Sequence, residues 1–115
     1  MAIPHAKPGE VIDIRPLGAA LAEAKTVTLV KTDALEVIRI VLTAGREIAQ
    51  HDVEGEITVQ CLEGSVEFRV GTLKRELTAG SLLYLEGADK HSLRAIENAS
   101  LLVTILLTHK NSNKK

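Results

Sequence analysis

From Thr26 onward the chain is a succession of Val-, Ile- and Leu-rich runs, each of roughly five to eight residues, cut by Gly, Asp, Asn or Glu-Gly signals. Runs this short and this often interrupted carry no helical period, so their apolar residues can be buried only by pairing the segments as strands. Strands are predicted over residues 26–32, 35–43, 56–62, 66–70, 73–77, 81–85, 91–96 and 101–108. The alternation is cleanest in Val66-Glu67-Phe68-Arg69-Val70, where apolar and charged side chains fall on opposite faces. Links such as Glu63-Gly64 and Gly71-Thr72 suit antiparallel neighbours, because a parallel crossover needs about a dozen residues or more. Strands without intervening helices predict an all-β sandwich or barrel, whose closure would remove the edges that invite aggregation. Residues 16–25 are the exception: Ala and Leu behind Pro16, at an allowed first-turn position, predict a short N-terminal helical turn.

A chain of 115 residues leaves room for one core. The domain is expected over residues 11–109, between a Pro- and Gly-containing tail at 1–10 and a polar tail at 110–115. Acidic and basic residues nearly cancel, to a net charge of -1, which removes the positive field that nucleic acid or an anionic membrane would need. One Phe, one Tyr and no Trp leave almost nothing on which bases could stack. The single cysteine, Cys61, calls for no oxidising compartment. The first ten residues have no apolar signal-like region, and the longest uncharged apolar run, 99–108, is far short of the roughly 20 residues of a membrane span. A cytoplasmic protein without nucleic-acid or membrane partners is expected.

Residues 35–42 and 101–107 are apolar on both faces, apart from isolated residues such as Glu36, Arg39 and Thr104. One barrel interior can bury only one face of each strand. The outward face therefore predicts a homodimer packed through these strands, with cover by residues 11–25 of the same chain as the alternative.

Two segments resemble the motifs of the cupin superfamily. In the first motif a glycine is followed after five residues by His-x-His, then a glutamate three or four residues on, then a glycine; here Gly45, His51 and Gly64 fall in register. In the second, a glycine leads through a Pro-x-Gly turn to a histidine, and Gly80 and His91 match it, with Glu86 and Ala88 in place of the turn residues. The resemblance spans about residues 35–108 and implies a small jelly-roll β-barrel whose matched histidines point into its open end and hold a divalent metal. Two positions depart from it: Val53 stands where the second histidine belongs and Ile57 where the glutamate belongs.

A catalytic first-row metal needs about three protein donors, and neither Val53 nor Ile57 has a lone pair to give. No cofactor is therefore expected; if a divalent metal is present, His51 and His91 would hold it. Glu56 could substitute only by reaching in through an irregular turn at Gly55. The expected site is a small-molecule pocket at the barrel mouth between His51, Val53, Ile57, Tyr84 and His91, apolar with a few polar handles. The Tyr84 hydroxyl either enters that pocket or stays in water. Cys61, inward on the strand Ile57-Thr58-Val59-Gln60-Cys61, is expected to be an inert core residue. His5, His109 and the Lys74-Arg75 pair read as solvated. Three functions stay open: a binding module without a complete metal centre, a metal-independent isomerase, cyclase or decarboxylase moving a proton on a histidine, and a metal-dependent oxygenase or isomerase with unusual ligands.

Overall fold

The computed structural model describes residues 5–51, 55–87 and 89–107, with the backbone alone at 50 and 51. Every predicted run forms a strand. In chain order these are β1 (Val27–Lys31), β2 (Leu35–Leu42), β3 (Glu47–His51), β4 (Ile57–Glu63), β5 (Ser65–Val70), β6 (Leu73–Thr78), β7 (Leu82–Leu85), β8 (His91–Ala95) and β9 (Ala99–Leu106), after a 3₁₀ turn at Gly18–Glu23. The strands form two antiparallel sheets, ordered β1-β2-β9-β4-β7 and β3-β8-β5-β6, which is an all-β jelly roll.

Two differences from the predicted strands have physical causes. β3 was not among them, because Glu47, Gln50 and His51 dilute its apolar pattern; it is extended because it pairs along β8. β9 begins at Ala99 rather than residue 101: Ala99 and Ser100 are fully buried opposite Leu42 and Val41, where only small side chains fit. Thr108 lies outside the described residues. Ala6 already donates its N–H to the Leu29 carbonyl of β1, so the chain meets the sheet before residue 11.

Paired residues across a ladder share a face, and the inner rows of the larger sheet are read directly from its register. Leu83, Val59, Val103 and Ile38 form one row and Cys61, Leu101 and Ile40 another. They pack against Val66, Phe68, Leu77 and Leu93 of the smaller sheet. Neither sheet closes on itself, so edges remain; β6 protects its own with the exposed Lys74, Arg75 and Glu76. Glu67, on the outer face of β5, lies within ion-pair reach of Arg69, Lys74 and Arg94, and this group is a solvated charge network.

Candidate functional site

Between the sheets is a cavity of about 120 Å³, lined by Ile38, Ile40, Ile48, Ile57, Val59, Phe68, His91, Leu93, Val103 and Ile105. Its wall on the larger sheet is made of inward β-branched side chains from β2, β4 and β9, and Ile48, Phe68, His91 and Leu93 of the smaller sheet face them across it. His91 is the one polar side chain in the described lining, and it is 3 % exposed. Its ring stacks on Phe68 with centroids 5.6 Å apart, and Nδ1 lies 3.1 Å from the Asp89 carbonyl oxygen. A carbonyl only accepts, so in the neutral ring Nδ1 carries the hydrogen and Nε2 keeps the lone pair.

His51 is the direct cross-strand partner of His91, as the resemblance requires. A β-bulge brings this about. Ile48 pairs with Leu93 and His51 with His91, so three steps along β3 match two along β8. The extra residue restores to position 51 the register of position 48. The His51 side chain and Val53 lie outside what is described.

No protein-family model matches the chain, and no curated protein sequence does. Solved structures do match. A cupin superfamily protein from Desulfitobacterium hafniense covers 90% of this chain and all of its own, at 14% identity and a TM-score of 0.74. An RmlC-like cupin from Desulfovibrio desulfuricans covers 84% of this chain and 97% of its own, at 24% identity and a TM-score of 0.69. The chain has the cupin fold. A predicted oxalate decarboxylase from Thermotoga maritima also matches, over 72% of this chain and 79% of its own, at 22% identity and a TM-score of 0.65; at these identities the likeness is one of architecture.

The cupin fold raises the question of a metal, and the described residues do not fit one. Ile57, at the motif's glutamate position, is buried in the cavity wall and offers only hydrocarbon. Among the described residues no three His, Cys, Asp or Glu side chains cluster as a metal site would require. Glu56 is turned away: it is exposed and accepts a 2.6 Å hydrogen bond from the Tyr84 hydroxyl. Cys61 is fully buried, and burial pushes its thiol up, out of the nucleophilic range.

Tyr84 is not brought to the cavity of this cupin fold. Leu83 and Leu85 take the inward positions of β7, so Tyr84, opposite Thr58, faces outward and is 53% exposed. Its bond to the Glu56 carboxylate pushes the phenol up to about 12 from the ordinary 10. With one tyrosine and no tryptophan in the chain, an ultraviolet titration is expected to show a single late step. Glu56→Gln should bring the midpoint back toward 10; an unchanged midpoint would mean that the bond does not form in solution.

A second polar cluster, on the outer face of the larger sheet, was not legible in the sequence. The Glu63 carboxylate accepts hydrogen bonds from Leu17 N–H (2.9 Å), Gly18 N–H (3.0 Å) and the Ser100 hydroxyl (2.6 Å), and lies 3.7 Å from the Arg39 guanidinium. Arg39, 6 % exposed, also donates to the Arg15 carbonyl. Strict alternation would turn Glu63 inward with Cys61. A bulge prevents this: Cys61 pairs with Leu101 and Glu63 with Ser100, so Glu63 takes the outer face of Ser100. The cluster fastens the N-terminal segment over one end of the sheet.

Proposed function

We propose that this protein binds a small organic molecule in the cavity between its sheets, with His91, Ile57 and, from the motif register, His51 and Val53 around it, and without a complete metal centre. The observation that carries the reading is the described cavity wall: hydrocarbon apart from His91, whose ring is fixed before any ligand arrives. Such a site orients a ligand at little ordering cost. The test is native mass spectrometry and metal analysis of the purified protein, followed by its crystal structure. An organic molecule in the cavity with substoichiometric metal is the expected result. Stoichiometric metal that is lost on His91→Ala would overturn the reading in favour of a metalloenzyme.

The motif positions supply a gain-of-function check. Val53→His with Ile57→Glu is expected to create a metal site and, in the absence of metal, to lower stability by several kcal/mol, because a glutamate at the buried Ile57 position has no partner. Metal at about a hundredfold its dissociation constant should then restore roughly 2.7 kcal/mol to the variant and nothing to the parent. Thermal melts with and without nickel or zinc measure both effects.

Two copies of the chain are inferred to pair through the outer face of the larger sheet. Ladder register puts Leu82, Gln60 and Leu102 in one outer row, Tyr84, Thr58, Thr104 and Val37 in the next, and Leu106 and Leu35 beyond. Leu82, Tyr84 and Leu106 are large and exposed, and the described hydrogen bonds of the N-terminal segment to this sheet lie at Leu29 and at the Glu63–Arg39 cluster, away from these three. A matching apolar face on a second copy would cover the remainder. Sedimentation at micromolar concentration should give twice 12.4 kDa, and Leu82→Asp should halve it; a concentration-independent monomer would overturn the pairing. Among the described residues no helix is long and apolar enough to cross a membrane. The buried free thiol of Cys61 needs no oxidising compartment, and we place the protein in the cytoplasm.

A further inference from the structure

We infer that the molecule taken by this cavity is uncharged, almost wholly hydrocarbon and no larger than a singly substituted six-membered ring; the inference rests on the binding role proposed above. Size comes first. A hydrocarbon-lined cavity of about 150 Å³ stays dry and accepts benzene, and this one measures about 120 Å³. A space of this size takes about one six-membered ring with a small substituent, and a second fused ring exceeds it.

Charge is disfavoured by the described lining. No Lys, Arg, Asp or Glu is in the described lining, and an ion moved there from water would lose its hydration with only His91 to offer in return. The nearest charged pair along the same face of β2 is Glu36, opposite Ile105, with Lys31 Nζ 3.3 Å from its carboxylate. Glu36 is the more buried of the two, with its side chain 21% exposed against 47% for Lys31. An anionic ligand would therefore meet the carboxylate first, and a cationic one would have to displace Lys31. Arg39, the cation on β2, faces the opposite side of the sheet and is engaged by Arg15 and Glu63. His91 adds a polar edge, and its Nδ1 hydrogen is directed to the Asp89 carbonyl rather than into the cavity.

The test is a titration of isotopically labelled wild-type protein with toluene, phenol, benzoate, benzylammonium and 2-naphthol, reading NOEs to the Ile38, Ile48 and Ile105 methyl groups. Toluene and phenol should reach these methyls with dissociation constants of roughly millimolar order or tighter. Benzoate and benzylammonium should bind there at least about tenfold more weakly, and 2-naphthol should not displace toluene. If either ion occupies the cavity as tightly as toluene, or if 2-naphthol displaces it, the inference on ligand class is overturned while the binding role stands. If no probe gives an NOE to the cavity methyls, the binding role falls and the inference falls with it.

Discussion

Glu63→Ala is expected to destabilise the protein by about 3–5 kcal/mol, and Arg39→Ala by clearly less, although the two residues form one ion pair. The asymmetry follows from what each substitution leaves behind. Removing the carboxylate strands a guanidinium that is 6 % exposed, leaving it the Arg15 carbonyl and a long contact to Ser100 at 3.4 Å. It also frees the Leu17 and Gly18 N–H groups and so loosens the N-terminal segment. Removing the arginine leaves a carboxylate that still accepts three hydrogen bonds, and a hydrogen-bonded acceptor costs roughly 1–3 kcal/mol less than an abandoned one. Chemical denaturation of the two variants at neutral pH measures the difference, and equal losses would show that the pair acts only through its mutual charge.

The same carboxylate sets an acid limit. Burial alone would push Glu63 up, but the Leu17 N–H, the Ser100 hydroxyl, the Gly18 N–H and the Arg39 charge together hold it below its ordinary 4.5. A depressed folded value means that its stabilisation is complete above that ordinary value and is lost as pH falls through the lower, folded one. Denaturation midpoints measured downward from pH 5 should fall in the wild type, and Glu63→Gln should lack that component.

Gly64→Ala is the second large effect, expected to cost at least about 3 kcal/mol, with Gly71→Ala, at about 1–2 kcal/mol, as its control. Both glycines have positive φ, +77 and +60, so both variants carry the strain of a left-handed L-residue. Only Gly64 is also crowded: a Cβ there would lie 2.0 Å from the Asn98 carbonyl oxygen and 2.8 Å from the Ala99 Cα, whereas at Gly71 nothing lies within 4 Å. The obstruction is backbone and cannot rotate away, so the β4–β5 turn and the start of β9 would have to separate. Melting temperatures of the two variants decide the matter, and equal losses would mean that the close approach relaxes freely.

Much of the architecture was legible beforehand, for a reason visible in β5. Val66 and Phe68 are buried while Arg69 is exposed, because a two-residue period can satisfy water on one side and a core on the other in only one way. The resemblance likewise brought His51 and His91 together, and they are ladder partners. Tyr84 shows the limit: the strand β7 was predicted, but which of its faces looked inward depended on Leu83 and Leu85 having β4 and the core beside them. Arg39 read as an isolated polar interruption, when it is the centre of a buried cluster whose other members come from distant parts of the chain.

By itself, then, the sequence determined every strand but β3, the antiparallel pairing and the hydrocarbon nature of the interior, since these follow from local periodicity and link length. The tertiary structure decided what two bulges decide: that residue 51 stands opposite His91, and that Glu63 turns outward to Ser100 and Arg39 while Cys61 stays in. A bulge adds one residue to one strand only. Its position is therefore set by the partner strand's packing, and no period within the bulged segment records it.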